Sequence, residues 1–292
     1  MSTLSPPQTE INSVIALYSN GQVQEALDAV ETLIKSYPNE ALLYNISGAC
    51  FAGLGQLDNA LQSYEKALTI KPDYAEVHYN LGVTLQELDQ LEAAVKSYEK
   101  AITIKPDYAD AYINLGITLK NLGQLDAAVK SYEKAIAINP DYAEAHNNLG
   151  NTLDDLGQLD AAVKSYENAL AIKPDFAEAH NNLGNTLMNL DQLNEAVKCF
   201  KQALAIKPDY AEAHNNLGNT LMNLDQLEAS IKSFEKALAI NPRYAEAHNN
   251  LGNSLEELGR LKEAEASYKQ AIAFKQDFAE AHNNLGNTLM NL

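Results

Sequence analysis

The chain has 292 residues, 46% of them hydrophobic, and carries a formal charge of −18. That apolar content excludes wholesale disorder, and the acidity argues against nucleic acid and anionic membrane surfaces, both of which need a basic face. No run approaches the roughly 18 apolar residues of a membrane span, and Met1 to Glu10 lack the cationic start and apolar stretch of a secretion signal. These features read as a cytoplasmic chain without membrane insertion.

Residues 1–6 are expected to be a disordered N-terminus. A weak copy of the later pattern runs over 7–40 and keeps Gly21, Ala26 and Pro38. Glycines then recur at 48, 82, 116, 150, 184, 218, 252 and 286, always 34 residues apart. Prolines keep the same period from Pro38 to Pro242 and give way only at Gln276. An unslipped period of this length is the mark of a repeat solenoid. It divides the chain into seven units, 41–74, 75–108, 109–142, 143–176, 177–210, 211–244 and 245–278, followed by the first helix of an incomplete unit at 279–292.

Two helices fit into each unit. In 177–210 the first carries Leu183, Leu187 and Leu190 on one stripe. The second carries Leu193, Val197, Phe200, Leu204 and Ile206. Between them stands Gly55, Gly123, Gly157 or Gly259, suited to a left-handed helix cap, or Asp89, Asp191 or Asp225 in its place. Proline ends the second helix. The pairs Asp73 and Glu76, Asp141 and Glu144, and Asp175 and Glu178 have the spacing of a capping box and predict that the aspartate starts the next helix. Gly184 and Ala196 mark places where two helices approach closely.

This pattern resembles the tetratricopeptide repeat. The Leu-Gly pairs run from Leu81-Gly82 to Leu285-Gly286, and the second-helix series reads Ala94, Tyr98, Ala101 and Ala128, Tyr132, Ala135, closing on Pro106 and Pro140. The family's tryptophan slot holds Tyr or His here, and its first-helix tyrosine slot holds Leu, or Phe51. The resemblance implies an all-α fold, a right-handed superhelical solenoid of antiparallel helix pairs, with a concave groove lined by the first helices.

Asparagine is the repeat with the clearest functional content. Asn80, Asn114, Asn148, Asn182, Asn216, Asn250 and Asn284 precede Leu-Gly, and Asn151, Asn185, Asn219, Asn253 and Asn287 follow three positions later. That gap places both on one helix face, at a cost in helix propensity. Duplication of a neutral polar residue would explain them. So would an amide ladder pairing with the backbone of an extended protein or peptide ligand. The array is similar in this respect to the repeat region of O-linked N-acetylglucosamine transferases, whose groove carries such a ladder, and Asn114-Leu115-Gly116 and Asn182-Leu183-Gly184 match it.

The other repeated residues have structural readings. His78, His146, His180, His214, His248 and His282 share one slot, but neighbouring helices stand about 10 Å apart, too far to share a metal ion bound at about 2 Å. No metal site and no cofactor is expected. Glu144, Glu178, Glu212 and Glu246 lie on first helices, where Lys120 is the one basic residue, so the Lys/Arg clamp with which some of these repeats hold a chaperone's C-terminal carboxylate is missing. These glutamates read as capping residues or as a preference for basic peptides. The lysines at 96, 130, 164, 198 and 232 read as a solvated outer face, and Met188, Met222 and Met290 as gap-fillers or adaptable surface. Cys50 and Cys199 occupy slots for small residues and lie too far apart for a disulfide.

No phosphate loop, nucleophile elbow or metal-spaced cluster occurs, so the chain reads as no enzyme. Its last helix leaves Leu285, Leu289 and Met290 uncovered. That suggests a fragment preceding a catalytic domain, or end-to-end self-association. Three functions follow: a peptide-binding scaffold, the substrate-recruiting arm of a glycosyltransferase of that kind, or a self-assembling structural protein.

Overall fold

The computed structural model describes residues 6–292, so the disorder expected for 1–6 lies, apart from Pro6, outside the described residues. Seventeen helices follow one another without a strand among the described residues. They are α1 (Gln8–Ser19), α2 (Val23–Ser36), α3 (Ala41–Gly53), α4 (Leu57–Ile70), α5 (Ala75–Glu87), α6 (Leu91–Ile104), α7 (Ala109–Asn121), α8 (Leu125–Ile138) and α9 (Ala143–Asp155). The series continues with α10 (Leu159–Ile172), α11 (Ala177–Asn189), α12 (Leu193–Ile206), α13 (Ala211–Asn223), α14 (Leu227–Ile240), α15 (Ala245–Glu257), α16 (Leu261–Phe274) and α17 (Ala279–Asn291). Contacts gather them into two compact units, one ending at Ala145 and the other running from His146 to Leu292.

Each hairpin turn does what its glycine or aspartate foretold. Gly55, Gly123, Gly157 and Gly259 have φ between 71° and 73°, and Asp89, Asp191 and Asp225 between 57° and 59°. The left-handed residue lets the next amide reach back across the helix end, as Gln90 N–H does to Leu85 O at 2.8 Å. Helix starts differ from the capping box. The residue flanking the helix is an aromatic (Tyr74, Tyr108, Phe176, Tyr210), and no side chain caps it. Asp73 stands one position too early, inside the turn. The first free amides are met instead by backbone, Val77 N–H and His78 N–H both donating to Tyr74 O at 3.1 Å.

The core of a repeat is an aromatic ring laid on a glycine. Phe200 of α12 is fully buried, and a Cβ added to Gly184 of α11 would sit 2.7 Å from its ring. Tyr98 meets Gly82 in the same way at 2.6 Å. Contacts below about 3 Å are repulsive, so the Leu-Gly dipeptide is the other half of the aromatic position. Alanines 94, 101, 128, 135, 196 and 203 are fully buried beside it.

Within each unit, successive first helices touch one another, α3 with α5 and α5 with α7, α11 with α13 and α13 with α15. Among the described residues no such contact joins one second helix to the next. The first helices therefore form the tight inner face of each unit, and the second helices the open outer face.

Candidate inner-face site

The asparagine before Leu-Gly spans the seam between repeats. In the unit ending at Ala145, Asn80 Nδ2 donates to Asn45 Oδ1 at 3.0 Å and Asn114 Nδ2 to the Tyr79 hydroxyl at 3.0 Å. In His146–Leu292, Asn182 donates to Asn147, Asn216 to Asn181, Asn250 to Asn215 and Asn284 to Asn249, all at 3.1–3.2 Å. Asn148 is half-buried on α9, its backbone carbonyl accepting from Thr152 Oγ1 at 2.9 Å. Asn182, Asn216 and Asn250 thus spend one N–H on repeat-to-repeat cohesion and keep a carbonyl oxygen and a second N–H, whereas Asn284 donates to Asn253 as well.

In His146–Leu292 the acceptors are a second set of asparagines, one position before the seam residue. Asn147, Asn181, Asn215 and Asn249 are buried, and Asn181 and Asn249 pass the chain on to Glu212 Oε1 at 3.3 Å and Glu280 Oε1 at 2.9 Å. The first-turn glutamates therefore link neighbouring repeats here instead of capping their own helix. Their signal in the sequence is the Asn-Asn dipeptide, such as Asn147-Asn148, whose first member the ladder reading does not include.

The slot three residues later divides in two. Asn151 Oδ1 accepts from the Tyr166 hydroxyl at 2.8 Å, and Asn253 Oδ1 accepts from Tyr268 at 2.8 Å and from Asn284 at 2.9 Å. In the two repeats between, the ring is Phe200 or Phe234, which has no hydroxyl to give. Among the described residues no group hydrogen-bonds the side-chain amides of Asn185 and Asn219, and both are half-exposed. Asn287 lies exposed on α17.

Threonines and histidines fix the frame around these amides. Thr186 is buried and donates to Asp154 Oδ1 of the preceding repeat at 2.7 Å, and Thr220 uses Met188 Sδ in the same role at 3.2 Å. Met188 is therefore part of the seam. Met222 instead borders an inner-face hollow of about 330 Å³ with Asn253, Asn284, Glu256, Glu257 and Glu280. The histidines bind loops. His78, His180, His214 and His248 Nε2 lie 2.9–3.0 Å from the carbonyl oxygens of Pro72, Pro174, Pro208 and Pro242. A carbonyl can only accept, so Nε2 carries the proton. Among the described residues no three His, Cys, Asp or Glu side chains group as metal ligands. Cys50 and Cys199 are free, and burial pushes both thiols up to about 11, so neither is a reactive thiolate near neutral pH.

Family profiles agree with this architecture. A profile described as TPR repeat matches residues 48–89, 87–123, 118–156, 150–191 and 185–225, and one described as Tetratricopeptide repeat matches 209–277. The chain belongs to the tetratricopeptide repeat family. No curated protein sequence matches it. Among solved structures it is similar to the Cut9–Hcn1 assembly, described as an APC/C hetero-tetramer, with 17% identity and a TM-score of 0.66. That match takes in 96% of this chain and 55% of the other, so this chain spans little more than half of that relative's length, and the likeness concerns fold alone. MamA is similar at 32% identity and TM-score 0.54, over 56% of this chain and 96% of MamA. YrrB, described as a TPR protein with an unusual peptide-binding site, is similar at 25% identity and TM-score 0.54, over 64% of this chain and 96% of YrrB. No described helix is long and apolar enough to cross a membrane.

Proposed function

We propose that this chain is a protein-interaction scaffold that binds an extended peptide along the inner face of His146–Leu292, with Asn185 and Asn219 as its free rungs. One observation carries the reading. Asn151 and Asn253 are answered by tyrosine hydroxyls, whereas Asn185 and Asn219 stand beside Phe200 and Phe234 with both amide functions unspent. A half-exposed amide in a helix interior does nothing for the core and lowers helix propensity, but it can donate to and accept from another chain's backbone.

The spacing suits a strand. First helices about 10 Å apart correspond to about three extended residues at ~3.3 Å each. Each amide then meets every third peptide group whatever the peptide's side chains. At about 0.5–1.5 kcal/mol per net hydrogen bond, two rungs give modest and sequence-tolerant affinity. The carboxylates of Glu256, Glu257 and Glu280 around the neighbouring hollow favour a basic side chain on that strand. The resemblance to YrrB, whose description names a peptide-binding site, supports this class of ligand.

The double replacement Asn185→Ala with Asn219→Ala tests the reading, since neither side chain is bonded to the protein. Helical circular dichroism should be retained and the melting temperature should hold or rise, alanine being the better helix former, while capture of peptides selected from a random display library falls about tenfold, the equivalent of ~1.4 kcal/mol. Undiminished capture removes the amides from the binding site.

A further inference from the structure

A second hollow in His146–Leu292 lies away from the asparagines, on the outer face between α12 and α14. It has a volume of about 770 Å³. Its floor is apolar, built from Leu204, Leu217, Leu221 and Ile240, and Ile240 is 39% exposed. The edge carries Lys201, Lys232 and Lys236, all exposed and none in an ion pair within the described chain. No carboxylate lines it.

Three cations without an acid are out of character on a chain of net charge −18, and Lys201 and Lys236 differ from the residues of both adjacent copies. The slot of Lys201 holds Glu99, Glu133, Glu167 and Glu235 in other copies, those on either side included, and Lys269 in the last. Ala229, also in the wall, stands where the adjacent copies carry Glu195 and Glu263. Lys236 stands where they carry Gln202 and Gln270. The grooves on either side thus keep acidic groups that this one has exchanged for alanine or lysine. His214 in the wall adds no charge. Its Nε2–H is committed to Pro208 O, and burial holds its pKa below the usual histidine value. Its Nδ1 is the one buried side-chain polar atom among the described residues that lacks a partner.

We infer that this groove is a second docking site, and that its occupant is an acidic amphipathic helix of a partner protein. Helix geometry and charge carry the assignment. From Gln226 to Ile240 the α14 wall runs for about 21 Å at 1.5 Å per residue, the length of a four-turn helix. Two helices flanking an apolar floor form the kind of trough that takes the apolar face of a third. The lysines then meet the acidic flanks of that helix and repel a basic one.

A fluorescein-labelled 16-residue helical peptide with leucines on one face and glutamates on the other is the probe, and the same peptide with lysines for glutamates is its control. The protein is expected to bind the acidic peptide saturably and the basic one at least tenfold more weakly. The double variant Lys201→Glu with Ala229→Glu introduces residues that sibling repeats already carry at these slots, so it folds, and it should lose at least tenfold in affinity for the acidic peptide. Asn185→Ala with Asn219→Ala should lose none, which separates this site from the inner-face reading. Equal binding of both peptides, full binding by the double variant, loss in the asparagine variant, or uptake of phosphatidylglycerol vesicles in place of the peptide would each overturn the assignment.

Discussion

In the unit ending at Ala145, the inner-face slot three residues after the seam asparagine holds Ala49, Val83 and Ile117, whereas in His146–Leu292 it holds Asn151, Asn185, Asn219, Asn253 and Asn287. The slot before the seam asparagine changes with it. Asn45, Tyr79 and Ile113 give way to an unbroken run of buried asparagines from Asn147 to Asn249. The first unit spends its inner face on rings. Tyr79 packs 5.0 Å from Tyr108, and the Tyr142 hydroxyl donates to Asp110 at 2.8 Å. Behind both faces the glycine–aromatic contact is the same, 2.6 Å at Gly82 and 2.5 Å at Gly218. The same glycine–aromatic core thus carries two different inner walls, and the two meet only where a tyrosine hydroxyl of the core reaches a wall asparagine.

The largest expected effect is alkaline. Burial drives the hydroxyls of Tyr64 and Tyr98 in the first unit, and of Tyr166 and Tyr268 in the second, well above the ordinary tyrosine value. Such a group ionises first in the unfolded chain. Its contribution is intact below about pH 10 and declines as pH rises toward the folded pKa, by about 1.4 kcal/mol per pH unit for each buried ring. Helical signal should collapse above about pH 10–11 together with a step in tyrosinate absorbance. The variant Phe200→Tyr with Phe234→Tyr should collapse at lower pH because it adds two such rings. A helical signal unchanged to pH 12 would show that these rings do not control stability.

Next comes a substitution that should treat both units alike. Gly82→Ala and Gly218→Ala each force a methyl into a fully buried ring, so both should cost about 1–3 kcal/mol by denaturant unfolding, despite the ~1 kcal/mol that alanine gains over glycine in a helix. Unequal costs would mean that the two cores are not equivalent after all.

The smallest effect is the most diagnostic. Phe200→Tyr alone gives Asn185 the hydroxyl that Asn151 already has from Tyr166 at 2.8 Å. At neutral pH, stability should rise by about 0.5–1 kcal/mol while peptide capture weakens, because the acceptor is now occupied. Capture that rises with stability would place the peptide elsewhere.

Much of this was legible in the primary structure. The 34-residue period, the left-handed turn at Gly123 or Asp191 and the proline stops are local properties of one repeat, so copying the repeat copied the signal. The capping box failed because the spacing of Asp73 and Glu76 is shared by residues inside a turn and at a helix start, and only the backbone path tells the two apart. Asn80 and Asn185 looked alike as letters in a ladder. What distinguished them was a partner elsewhere in the chain: Asn45, 35 residues earlier, for Asn80, and for Asn185 the hydroxyl missing from Phe200.

The sequence by itself determined the repeat, its two helices and the family to which they belong, because period, stripe and turn chemistry act within a few residues of one another. Which amides are consumed in seams and which stay free, and which outer groove is left without an acid, were decided only by tertiary stacking. Those outcomes depend on pairs of residues brought together from separate helices, and no single repeat contains both members.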